Sequence, residues 1–514
     1  MKSFAVSVFA AVALVALCAP YAAQAEPPLD RGAVHKTRVP LLGSSGIKPS
    51  VKNGGGGGGT STVLPANFAL AAYTVGTVIP ATTTSPEAEE EIAVDPNNYQ
   101  NLFAAISDFS NFQNITKYVY SSTDGSTWVD ENFLPLSGGF LVTADGQNWS
   151  ANSDPTTGID RKGNLYLCNL YIAIDATTGN VLYSGLYVGA RSSLPYGQTD
   201  IHPVFPVDLT GRTQPDKPWM AVDNTTGAFS GHIYVTWSEF KSTRTGSTDL
   251  IDFASSANQG VTWSKAKQVS LSTQNGAVQG SQVAVGPDGT VYVVYEVFYA
   301  GNQRAQFLTK STNGGSTFTT PVAITPKFNE LNIGSLYRTD SFASIAVGPS
   351  KVVDVVYSDQ PSGTAQVEYI HSGASGGGTH NGFSAPVMIN DSSTGHHFFP
   401  SVAVDSNGVI HTSWFDTRNS PSNPEFYDVY ATYSKNGSAF AANARVTPSI
   451  IDSGGGSIFG DFIGDYAGIA AAVNGGKSEA HPVWTSGGFG DFPFPPGLGF
   501  AAPGQLQTST LTVP

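Results

Sequence analysis

Between residues 91 and 472 one short apolar pattern returns seven times: EIAVD from Glu91, TGID from Thr157, WMAVD from Trp219, QVAVG from Gln282, SIAVG from Ser344, SVAVD from Ser401 and GIAAA from Gly468. Large apolar and small or polar residues alternate in most of these segments, the period of a β-strand with one face against a neighbour. Their cores begin at residues 92, 157, 220, 283, 345, 402 and 469, so the repeat runs 57 to 67 residues. A repeat of this length with no helical stripe and no Leu/Asn ladder excludes the common solenoids.

Within a unit the order is constant. In the sixth, SVAVD leads into the turn DSNG (405–408), then into VIHTSWFD (409–416), DVYATYSKNG and FAANARVT. Four short antiparallel strands per repeat predict an all-β chain folded as a β-propeller, with seven four-stranded blades as the first expectation and six as the alternative. The final unit offers only one strand, QLQTSTLTV, after AHPVWT, while FALAAYTVGTVI (68–79) precedes the first unit without a blade of its own. Residues 68–79 are therefore expected to supply the outer strand of the last blade, which removes an open edge and joins the ends of the ring.

A second pattern sits at the hairpin between third and fourth strands: SSANQGVTW at 255–263, KSTNGGSTF at 310–318, and shorter forms SSTDGSTW at 121–128 and YSKNGSAF at 433–440. An Asn or Asp there accepts bonds from backbone N–H groups of its own turn, Gly takes a positive-φ position, and the aromatic packs below. The two long copies match S-x-[DN]-x-G-x-x-[WF], which resembles the Asp-box, or BNR repeat, of the sialidase superfamily. The resemblance implies a propeller in which these turns lie on the rim opposite the ligand face. Asp124, Asn258, Asn313 and Asn436 are then structural, with Trp263 and Phe318 buried at the hairpin bases.

Composition narrows the setting. The chain opens MKSFAVSVFAAVALVALCAPYAAQAEPP, which reads as a signal peptide (1–25) cleaved before Glu26, followed by a Gly-rich leader (26–67) and the propeller (68–514). The expected destination is secreted or periplasmic. Of two cysteines only Cys168 follows the signal, so no disulfide framework is expected. A formal net charge of -14 argues against nucleic acid as partner, and no later segment has the apolar length to span a bilayer. An extracellular glycan or glycoprotein is the expected partner and a monomer the expected state.

Strand direction says which residues share a rim. Starts of first strands and ends of second strands lie together at one mouth, away from the Asp-box turns. The starts bring Asp154, Asp216, Lys217, Arg338, Asp340, His396, His397, Asp465 and Tyr466 there; the ends bring Asp108, Glu239, Asp359, Asp416 and Arg418. Three chemistries fit such a ring. Carboxylates can cap loops and pair with Lys217, Arg338 and Arg418. They can converge on a hard cation such as Ca2+, although no contiguous D-x-D-x-D loop is present and no cofactor is otherwise expected.

The resemblance supplies the third. Sialidase-type sites use an arginine cluster for the sugar carboxylate, a Tyr assisted by a Glu as nucleophile, and an Asp as acid/base. Carried onto this sequence, Arg212, Arg338 and Arg418 form the clamp, Tyr466 (or Tyr337) with Glu239 the nucleophile pair, and Asp216 the acid/base; Asp465 and Trp219 line the site. The F/Y-R-I-P segment of sialidases is missing. The function read from sequence is thus a glycoside hydrolase acting on acidic glycans, with a non-catalytic glycan- or protein-binding propeller as the alternative. Trp237, Trp414 and Trp484 are assigned to packing between blades, and Trp219 and Phe398 to stacking on a sugar.

Overall fold

The computed structural model describes residues 63–82, 87–108, 116–121, 127–139, 141, 148–175, 181–243, 246–373, 380–453, 463–487 and 505–514. The expected signal peptide, the Gly run at 54–59 and Asp124 lie outside the described residues. No helix among those described is long and apolar enough to cross a membrane.

The strands form seven sheets. Their innermost strands are Glu87–Asp95, Ala151–Ile159, Thr213–Val222, Val278–Val285, Ser344–Val347, His397–Val404 and Ile469–Asn474. Each packs beside the next in chain order, and the last returns to the first, so the sheets close as a seven-bladed propeller. Apolar side chains fill the gaps between blades. Trp237, Trp414 and Trp484 are fully buried there, in the packing role expected of them.

An inner strand has no partner on its axial side, which leaves backbone N–H groups to satisfy. Side chains one residue before three of the cores do this across the blade gap: Glu91 Oε2 accepts from Thr157 N at 3.1 Å, Gln282 Oε1 from Ile345 N at 3.3 Å and Ser344 Oγ from Val402 N at 3.2 Å.

The closure follows the expected pairing. Thr74–Val75 is antiparallel to Leu511–Thr512, and Ile79–Pro80 to Leu506–Thr508, in the seventh blade. The segment also reaches further back. Asn67–Leu70 adds a parallel edge strand to Ala439–Ala441 of the sixth blade, and Leu64–Pro65 does the same to Val387–Met388 of the fifth. The expected leader boundary at residue 67 therefore falls inside a belt that covers three successive edges. Tyr73 pins it: its hydroxyl lies 2.7 Å from His411 Nδ1 and its ring 4.9 Å from Tyr433.

On the rim away from the mouth, hairpins are closed by their own side chains. Asn258 Oδ1 accepts from Thr262 N at 2.9 Å while Ser256 Oγ accepts from Gly260 N at 2.9 Å; Asn313 and Ser311 repeat this at 2.9 and 3.0 Å. The Asp ending four of the apolar repeats acts likewise, as when Asp405 Oδ1 accepts from Asn407 N and Val409 N at 2.9 and 3.0 Å. One expectation needs correction. Trp263 and Phe318 are only half-buried: each packs against the rim of an apolar cluster between two blades, Phe318 meeting Phe253 of the preceding blade edge-on at 4.8 Å.

Candidate functional site

At the mouth, five first strands carry the same irregularity. Pairing breaks between Ala88 and Glu91, Ser153 and Thr156, Asp216 and Trp219, Gln279 and Gln282, and Phe398 and Ser401. The first skipped residue has positive φ each time: Glu89 at 63°, Asp154 at 53°, Lys217 at 48°, Gly280 at 63° and Phe399 at 50°. In three cases the next residue is proline (Pro155, Pro218, Pro400), which has no N–H to leave unpaired in a bulge. Four non-glycine residues in the left-handed region cost energy, so the surrounding packing must hold them there. In return the bulge turns a side chain that would lie along the sheet toward the ring axis.

The result is a cluster joining five blades. Asp465, in the lead-in to the seventh, receives Arg338 Nε at 2.6 Å and Nη2 at 2.8 Å, and Lys217 Nζ from the third blade. Glu89 and Asp154 of the first and second blades complete it, both fully buried. The third and seventh blades are not neighbours, so the Lys217–Asp465 pair crosses the axis. A second crossing lies beside it: Trp219 meets Tyr466 edge to face, centroids 5.6 Å apart and planes at 81°, and the Tyr466 hydroxyl donates to Pro155 O at 3.2 Å. These braces floor the mouth as a cup. Arg338, Trp219 and Tyr466 are half-buried and reach solvent from it.

Charge decides the protonation states. Burial would raise the Asp465 carboxyl, but Arg338 and Lys217 outweigh it and hold it below the usual carboxylate range. Burial works against the Lys217 ammonium too, yet Asp465 keeps its pKa raised. Glu89 is pushed well above the carboxylate range by burial and by the charges of Asp154 and Asp465. Burial lifts Glu91 to about 8. Tyr466 is raised well above an ordinary phenol by burial and by Glu89, Asp154, Glu91 and Asp465, so it stays a neutral O–H.

The expected site residues divide accordingly. Arg338, Asp465, Tyr466 and Trp219 come together, with Asp216 buried immediately before the Lys217 bulge. The three-arginine clamp does not assemble. Arg418 forks onto Asp416, with Nη2 to Oδ2 at 2.7 Å, reaches Asp391 at 2.7 Å, and stacks on Tyr430 at 3.9 Å, which ties the fifth and sixth blades. Arg212 is exposed in the loop leading into the third blade. Glu239 is not Tyr466's partner: its Oε2 accepts from Trp237 Nε1 at 2.7 Å, and burial raises it to about 7. The carboxyls acting on Tyr466 are Glu89, Asp154, Glu91 and Asp465. Tyr337 donates to Pro424 O inside the core, and Phe398 is fully buried, so neither serves as nucleophile or sugar platform.

Glu89 escaped the sequence reading because it sits in the acidic run EAEEE, which looks like a solvated lead-in. Its signal was positional: it stands three residues before its repeat core, as do Asp154, Lys217 and Tyr466. The cations in the cup are the protein's own ammonium and guanidinium. Among the described residues no group of three or more His, Cys, Asp or Glu side chains is arranged to hold a metal ion.

No protein-family model and no curated protein matches the chain. Solved structures similar in chain path include an alpha-L-arabinanase of Penicillium chrysogenum (12% identity, 86% of this chain and 99% of that one, TM-score 0.45) and a PL25 ulvan lyase (10%, 86% and 95%, 0.44). The Hadza microbial sialidase Hz136 is also similar (12%, 80% and 73%, TM-score 0.41). The architecture implied by the Asp-box resemblance, a β-propeller, is the one this chain adopts.

Proposed function

We propose that this chain is an exported propeller that recognises glycans at the braced mouth, by binding and not by release of sialic acid. One observation carries the reading: the guanidinium at the axis is engaged bidentately by Asp465, in a setting of carboxyls, while Arg418 and Arg212 stand elsewhere. A site for an acidic sugar needs cations in excess of its own carboxylates. Here the balance is reversed. What faces solvent instead is an aromatic pair, Trp219 and Tyr466, which suits a sugar's apolar face.

A second reading, hydrolysis of a neutral glycoside, has its own support. Glu91 is half-exposed and neutral at pH 7, with one carboxyl oxygen engaged by Thr157, so it can serve as a proton donor. The test is a glycan panel with purified residues 26–514, read for binding and for turnover of fluorogenic glycosides. Binding without turnover, lost in Trp219→Ala, supports the proposal. Turnover lost in a folded Glu91→Gln variant moves the assignment to the hydrolase. Cleavage of a sialoside overturns both.

A further inference from the structure

The rim away from the mouth carries a charge opposite in sign to the chain as a whole. The formal net charge is -14, yet the exposed hairpin ends on this rim are cationic. The hairpins that follow inner strands supply Arg161 and Lys162 in the second blade, Lys351 in the fifth and Lys477 in the seventh, all exposed. The Asp-box hairpins add Lys265 in the third, Lys310 in the fourth and Lys435 in the sixth, again exposed. Every blade from the second to the seventh thus puts an ammonium or guanidinium on one face.

The acids of that rim do not offset them. Asp95, Asp160, Asp223 and Asp405 are buried, and each accepts from N–H groups of its own turn. Among the described residues, the acids that reach solvent there are already paired, Asp288 with Lys351 at 3.3 Å and Asp200 with Arg191 at 2.6 Å. Lys162, Lys265, Lys310, Lys435 and Lys477 enter no ion pair among the described residues. The carboxylates of the mouth are too far away to matter. An inner strand of nine residues, such as Glu87–Asp95, separates the rims by about 30 Å, several times the ~8 Å over which charges are felt at physiological salt.

The distribution says what shape of partner fits. A linear polyanion laid across the rim meets a few blades, whereas a planar one meets them all. Lys predominates over Arg, which suits contact with hydrated head groups more than a single phosphate held in a fork. Val129 and Val261 are the exposed large apolar residues here, among those described, so the attraction is electrostatic and not one of deep insertion. We infer that this rim docks on the surface of an anionic lipid bilayer, which leaves the mouth facing outward about 30 Å above it. The inference goes beyond the glycan-binding reading and does not depend on it.

Flotation with vesicles tests it on residues 26–514, which retain every described residue. At physiological salt the chain floats with phosphatidylglycerol mixed into phosphatidylcholine and stays behind with phosphatidylcholine alone. It is released at about 1 M salt, where the screening length falls to about 3 Å. Combined Lys265→Glu, Lys435→Glu and Lys477→Glu, checked for folding by circular dichroism, lowers the partition coefficient at least about tenfold. Arg212→Glu, exposed near the mouth, leaves it unchanged. Should the triple reversal not fold, Gln at the same three positions replaces it. The variant keeps the leader's own cations, Lys36, Arg38, Lys48 and Lys52 among them, so vesicle binding that survives it overturns the inference. Binding to polygalacturonate but not to vesicles overturns it in favour of a polymer partner. Self-association without vesicles, lost in the same variant, overturns it in favour of a second copy.

Discussion

The two rims of this propeller handle the same residue types in opposite ways. On the turn rim, Asp405, Asn258 and Asn313 spend their oxygens on N–H groups two to four residues away, in hairpins closed by local bonds. At the mouth, Glu89 and Asp154, from bulged backbone at positive φ, and Asp465, from the lead-in to the seventh blade, act on groups of other blades. A carboxylate bonded within its own turn can be lost with local damage. One that neutralises charges from two other blades cannot, because its loss strands those charges in the interior. The turn rim is thus a set of separate repairs, and the mouth is a single cooperative unit.

The sharpest way to break that contrast is Asp465→Ala. It leaves the buried Lys217 and the half-buried Arg338 without their shared anion and is expected to cost about 3–5 kcal/mol in denaturant titration. Asp405→Ala on the turn rim loses turn bonds and its contact to His411, and should cost about 1–3 kcal/mol. Equal costs would show that the mouth is no more cooperative than a turn.

Two tryptophans sharpen the packing side. Trp237→Ala, from a fully buried site, should cost about 3–5 kcal/mol, and Trp263→Ala, from a half-buried one, clearly less. A larger loss at Trp263 would mean that the hairpin aromatics carry the sheets after all.

A third measurement uses pH. Burial raises Glu90, Glu239, Asp249 and Asp354 to about 7, and Glu91, Glu296 and Glu368 to about 8. The folded chain therefore holds protons that the unfolded chain gives up near its ordinary carboxylate pKa. By linkage, stability falls as pH rises from about 5 through about 8. Thermal melts should show the highest Tm near pH 5; a Tm that climbs toward pH 8 contradicts the neutral state assigned to these buried acids. The smallest effect is Asn258→Ala, about 1 kcal/mol from its turn bonds, with ligand binding unchanged.

The pattern of the chain made much of this legible. Seven cores, four strands to a unit, and a last unit short of one strand are properties of spacing and alternation, and they survive in the sheets. So did the rim on which Asp216, Lys217, Arg338, Asp465 and Tyr466 lie. What spacing could not tell was which charges meet. Arg338 and Arg418 occupy the same rim, but one crosses the axis while the other folds back onto Asp416 two residues away, and that choice depends on bulges and side-chain reach. The Glu239 assignment failed for a related reason: the side chain two residues past Trp237 faces the same blade gap, and the indole N–H was there to meet it.

The belt that begins at Leu64 imposes an order of events. A ribosome delivers it first and delivers its partners last: Val387–Met388, then Ala439–Ala441, then Leu506–Thr512. Throughout synthesis those early strands wait unpaired while the first four blades can already assemble behind them. The ring cannot lock as the chain emerges; its final seam forms only after the most distant segments are out. A nascent chain stalled in the seventh blade already holds partners for Leu64–Pro65 and Asn67–Leu70 but none for Thr74–Val75 and Ile79–Pro80, so the end of its strap stays open, the form most apt to pair with a neighbour.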